Sequence, residues 1–94
     1  MNEMQRKFFE HIAYLQDFNV QSCLAKHKIS DPKIESLMYD VTYNVITDIF
    51  EMIDGYSGFS KDKHDIINTV TKEHLKENPF IELHDQTEEF LKTE

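Results

Sequence analysis

A chain of 94 residues holds one domain at most, residues 1–94, burying on the order of 60–70% of its unfolded surface, enough for a modest core. Eighteen Asp and Glu stand against ten Lys and Arg, a formal net charge of −8 that disfavours nucleic acid and favours a basic protein partner. The single cysteine, Cys23, excludes an internal disulfide, and no run approaches the ~20 apolar residues that a membrane span needs.

The charge is uneven. Residues 1–28 carry a net +1, residues 29–60 a net −5 and residues 61–94 a net −4. Two prolines and two glycines leave no linker that would divide the chain, and there is no internal repeat. The first residues, MNEMQRKFFEHIAYLQDF, lack the apolar core and small-residue cleavage site of a signal peptide, so the expected setting is cytoplasmic.

The first predicted element is a helix over about Glu3–Lys28. Met4, Phe8, Ile12 and Leu15 form one stripe, with Phe9, Ala13, Val20, Cys23, Leu24 and His27 beside it. Asp17-Phe18-Asn19 is its weak point, because Asp and Asn compete for backbone hydrogen bonds. Ile29-Ser30-Asp31-Pro32 then reads as a turn, with Asp31 as N-cap and Pro32 at the first helical position. So short a connection makes the next helix an antiparallel neighbour.

That second helix runs to Gly55, which supplies the left-handed stop. Ile34, Leu37, Met38, Val41, Val45, Ile49, Met52 and Ile53 share one face. Tyr39, Tyr43, Ile46 and Phe50 widen it, leaving a polar stripe of Asp40, Asn44, Thr47, Asp48 and Glu51. A helix apolar around more than half its circumference must be covered from two directions. In so short a chain the second cover points to another molecule, with Tyr39, Tyr43, Ile46 and Phe50 as the expected interface.

Asp54–Asp62 is a loop. The following KHDIINTVTKEHL supports two readings. Ser60 can cap a helix carrying Ile66, Ile67, Val70 and His74, or the β-branched residues can form one short extended segment near 63–70, paired with a symmetry mate. Asn78 as N-cap and Pro79 at the first position then predict a C-terminal helix docked by Phe80, Leu83 and Phe90. The expected fold is a mainly α small helical bundle on an antiparallel helix hairpin, with a short C-terminal helix.

Five histidines are the first candidates for chemistry, but no H-E-x-x-H is present. His84 and Glu88 stand at i, i+4 and can share a metal, with Asp85 and His64 (or Asp54) as further ligands if the loop folds back. Cys23 needs His27, one turn on, to act as a nucleophile, and that face is apolar. No glycine-rich phosphate loop exists, and no cofactor is expected.

LMYDVTYNVITDIFEMIDGY, Leu37 to Tyr56, and NPFIELHDQTEEFL, Asn78 to Leu91, resemble a group of small uncharacterised proteins of low-GC Gram-positive bacteria. The shared pattern is a Tyr-rich helix ending in Ile-Asp-Gly-Tyr and a later Leu-His-Asp. The resemblance implies a bacterial cytoplasmic origin and makes Asp54, Gly55, His84 and Asp85 worth inspecting together. The functional expectation is a non-enzymatic protein acting by protein contact, as a homodimer and with a basic partner, in the manner of small acidic proteins that neutralise a toxin or nuclease. The rival is a metal-binding protein or enzyme built on His84, Asp85, Glu88 and His64.

Overall fold

The computed structural model describes residues 2–76 and 81–93. Helix α1 spans Glu3–Lys26, α2 spans Pro32–Ile53, and a 3-10 turn over His84–Gln86 leads into the one-turn helix α3, Thr87–Phe90. Among the described residues there is no strand, so the protein is a small all-helical bundle.

Local chemistry sets the helix ends. Asn2 Oδ1 accepts the Gln5 N–H at 2.8 Å and Gln5 Oε1 accepts the Asn2 N–H at 3.1 Å, a reciprocal cap on α1. Asp31 caps α2 by accepting the Lys33 N–H at 2.9 Å, with Pro32 at the first helical position. Both helices stop in the same way. Tyr56 N–H bonds Glu51 O and Gly55 N–H bonds Met52 O; Ile29 N–H bonds Leu24 O and Lys28 N–H bonds Ala25 O. The left-handed residue is Gly55 (φ 92°) in one case and Lys28 (φ 55°) in the other. Helix α1 is unbroken at Asp17-Phe18-Asn19, where Asn19 Nδ2 donates to Leu15 O and both continue the helix.

The two long helices are antiparallel neighbours. Phe9 meets Phe50, Gln16 meets Tyr39 and Thr42, and Gln21 meets Glu35, so α2 runs back as α1 advances. Phe9 is the hub of the larger core cluster, packed with Phe50, Leu75 and Leu83 and stacked on Phe90 at 5.5 Å. A second cluster joins Val20 and Leu24 to Tyr39, with Ile29 and Met38 against it. Between the clusters lies buried Gln16. Its Nε2 donates to Tyr39 O, Thr42 Oγ1 and Lys92 O, and its Oε1 accepts the Lys92 N–H at 2.8 Å. One side chain thus ties both helices to the C-terminal segment with its amide satisfied.

Helix α2 is covered on a different side from its apolar centre. Its aromatic edge, Tyr39 and Phe50, packs against α1. Tyr39 OH reaches Asp17 and Gln21, which gives the ring's polar end a partner that an aliphatic residue would not need. The C-terminal segment packs over the polar stripe, where Thr47 Oγ1 donates to Thr87 Oγ1 and Thr93 Oγ1 to Asp40 Oδ1. The middle of the apolar face remains in solvent: Leu37 is 60% exposed, Val41 51% and Val45 53%.

Two segments differ from expectation. Residues 63–76 form neither helix nor strand but a hairpin-like loop, in which Ile67 bridges His74 and Leu75 N–H donates to Ile66 O. Asn68 Oδ1 makes the turn by accepting from Val70 and Thr71, so side chains supply what β-propensity alone does not, and the partner lies in the same chain. The C-terminal helix is shorter than predicted. The His84 N–H is taken by Asp54 Oδ2 in place of a helical acceptor, so the helix begins after it. The expected cap Asn78-Pro79 and the anchor Phe80 lie outside the described residues.

Candidate functional site: a buried carboxylate and its histidine

Asp54 is the C-cap of α2, and the left-handed Gly55 turns the chain sharply away from it. A Cβ at Gly55 would stand 2.8 Å from Asp62 O and 2.9 Å from Lys61 O, so only glycine allows the loop to return this closely. The return places Lys63 and His64 beside the helix end, with His64 N–H on Ile53 O. The hairpin then delivers Lys76. Its anchor is Asp65, whose Oδ1 accepts the Lys76 and Ile66 N–H groups and whose Oδ2 lies 2.9 Å from His74 Nδ1. Burial raises the Asp65 carboxyl, but these donors outweigh it and hold the group below its usual range.

At the centre the Asp54 side chain is 0% exposed and that of Lys76 is 2% exposed, with Lys76 Nζ 2.8 Å from Asp54 Oδ1. Asp54 Oδ2 accepts the His84 backbone N–H at 2.9 Å and lies 2.7 Å from His84 Nδ1. Burial pushes the Asp54 carboxyl up. The Lys76 ammonium, the two His84 donors and the Leu83 N–H together push it down further, and the result lies below the ordinary carboxylate range. An ionised carboxylate only accepts hydrogen bonds, so Nδ1 carries the proton in this contact and Nε2 faces outward.

Glu82 stands on the outer side. One oxygen, Oε1, takes the Tyr56 hydroxyl and Lys63 Nζ, which holds the Glu82 carboxyl below its usual range and the Tyr56 phenol above its own. The other, Oε2, lies 3.6 Å from His84 Nε2, and Asp85 Oδ1 lies 3.4 Å from the same nitrogen. The Tyr56 ring meets the imidazole edge-on at 5.3 Å.

Among the described residues, the group of ligand-type atoms able to surround one ion is Glu82, His84 and Asp85. Glu88 and His64 do not belong to it. His64 packs against Phe59, and its Nε2 is buried without a hydrogen-bond partner. Asp54 and His84, two of the residues that the resemblance makes worth inspecting together, are in direct contact. Of the four residues expected at an interface, Tyr39 and Phe50 are buried inside the subunit at 7% and 4% exposure, while Tyr43 and Ile46 are half-buried. Cys23 is half-buried on α1; the His27 N–H bonds its carbonyl, and its thiol makes no hydrogen bond to the His27 ring. Sequence reasoning missed Glu82 and Lys76. Lys76 sits in an acidic stretch with no periodic signal, and Glu82 reads as the outer face of a helix that starts later.

No helix of the described residues is long and apolar enough to cross a membrane. No family model, no curated protein and no solved structure matches the chain.

Proposed function

We propose that this protein acts by protein contact and that the first partner is a second copy of itself, seated on the open face of α2. The observation that carries the reading is the exposed row Ile34, Leu37, Val41, Val45 and Ile49. Leu15 of α1 extends it across an apolar groove that Ile12, Val41, Val45 and Ile46 also line. With side chains of this size presenting roughly 150–200 Å² each, their exposures leave on the order of 500 Å² of apolar surface. A stable interface buries about 800 Å² per partner, and a patch of this size is at the upper end of what monomers carry.

The row suits a two-fold. Isoleucines close both ends, at positions 34 and 49, with valines between. An antiparallel crossing near Val41 sets Ile34 of one copy against Ile49 of the other. It also brings Lys33, the one base of residues 29–60, toward Asp48 across the interface.

Sedimentation tests the reading. The wild type is expected to sediment at twice the 11.2 kDa subunit mass. The double variant Val41→Glu, Val45→Glu is expected to be monomeric with its helical circular dichroism retained, because both side chains lie half in solvent. A wild type that stays monomeric at high concentration refutes the proposal.

A further inference from the structure

His84 Nε2 and the carboxylate oxygens of Asp85 and Glu82 face one another at 3.4 and 3.6 Å. Charge-assisted hydrogen bonds close to about 2.7–2.9 Å, so these contacts are too long to be hydrogen bonds of that kind. They match two edges of a different geometry, and the third, between the two carboxylates, lies within 4.8 Å. Nitrogen and oxygen ligands about 2.0–2.1 Å from a tetrahedral zinc ion stand roughly 3.3 Å apart. The inner face of the imidazole adds an independent feature. A fully buried carboxylate, Asp54, holds Nδ1 at 2.7 Å, which fixes the tautomer that turns a lone pair outward.

We propose that Glu82, His84 and Asp85 form a three-ligand site for a divalent transition metal of the zinc class, with Asp54 as the carboxylate behind the histidine and a fourth position open to solvent. The surrounding charges fit this assignment. Lys63 and the Tyr56 hydroxyl both take Glu82 Oε1, leaving Oε2 for the ion. Lys76 neutralises Asp54. Two carboxylates and an imidazole then face the ion, with the Lys63 ammonium offsetting part of the Glu82 charge. A nitrogen ligand in so compact a set selects zinc-like ions over calcium or magnesium, which take oxygen cages or retain their waters. The assignment does not depend on the oligomeric state, since all the ligands belong to one chain.

The test is calorimetric titration of the full chain with zinc alone in a non-coordinating buffer. One ion per subunit is expected. Asp85→Asn, which alters an exposed side chain and leaves the core untouched, and Glu82→Gln are each expected to weaken binding at least tenfold. His11→Ala removes an exposed histidine on α1 and is expected to change nothing. Substitution with cobalt is expected to give the intense visible bands of four-coordinate geometry, lost in Asp85→Asn. Equal zinc affinity in the wild type and in the Asp85→Asn, Glu82→Gln double variant overturns the site, as does loss of binding in His11→Ala or absence of binding in the wild type.

Discussion

Replacing Lys76 by Met is the sharpest probe of how the end of α2 is held. The substitution keeps the length and apolar stem of the side chain and removes its charge. Asp54 then remains fully buried with only N–H donors around it. Breaking a buried pair from one side costs about 3–5 kcal/mol, because the remaining ion loses its partner without regaining water. A 94-residue domain has a total stability of roughly 5–14 kcal/mol, so this change removes a large fraction of it. At about 4–8 °C per kcal/mol for a domain of this size, the midpoint should fall by 12 °C or more. Urea titration followed by far-ultraviolet circular dichroism reads the loss directly, with the denaturant slope unchanged. Lys63→Met provides the contrast. Lys63 pairs with Glu82 at 2.9 Å in partly exposed surroundings, and its loss should lower the midpoint far less than Lys76→Met does. The double variant Asp54→Asn, Lys76→Met should be more stable than the sum of its single changes predicts. If Lys76→Met melts within 1 kcal/mol of the wild type, the pair is not desolvated and the reasoning fails.

Three further outcomes follow from the same structure. Asp54 has a folded pKa below its unfolded value of about 3.9, so its contribution is full above that pH and disappears as acid takes the pH down through the folded pKa. Stability measured by urea should therefore fall on acidification below about pH 5, and Asp54→Asn should flatten that fall; an unchanged slope in the variant would remove Asp54 from the account. Lys28→Gly relieves a left-handed lysine at the end of α1 and should raise stability by about 0.5–1 kcal/mol, seen as a higher thermal midpoint. Gly55→Ala should lower stability by more than about 1 kcal/mol, because it combines a φ of 92° with a Cβ placed 2.8 Å from Asp62 O.

The parts of the fold legible in the sequence are those that neighbouring residues decide. Asp31-Pro32 and Gly55 mark the ends of α2 through hydrogen bonds that span a few positions. The covered side of α2 is chosen instead by distant partners: Tyr39 by Asp17 and Gln21, Phe50 by Phe9, Thr47 by Thr87. No periodicity along the helix contains that choice, so the aromatic margin became core while the aliphatic centre stayed in solvent. The loop over 63–76 was opaque for a related reason. Its β-branched residues favour an extended chain, but the shape is set by the side chains of Asp65 and Asn68 bonding backbone groups. At the candidate site, His84 and Asp85 stand out by residue type. Glu82 acquires meaning only when the loop brings Tyr56 and Lys63 to it, and Lys76 only when the hairpin brings it to Asp54, contacts between residues far apart in the chain.

The Gln16 amide sets an order of events during synthesis. Its acceptors on Tyr39 and Thr42 leave the ribosome early, while the Lys92 backbone that completes its bonding follows fifty residues later. At translation rates of about 5–20 residues per second, the nascent helix pair waits roughly 3–10 s with one end of that amide unfastened. The segment at Lys92 is therefore the clasp, and a nascent chain stalled before it holds two helices around a polar group that still has water.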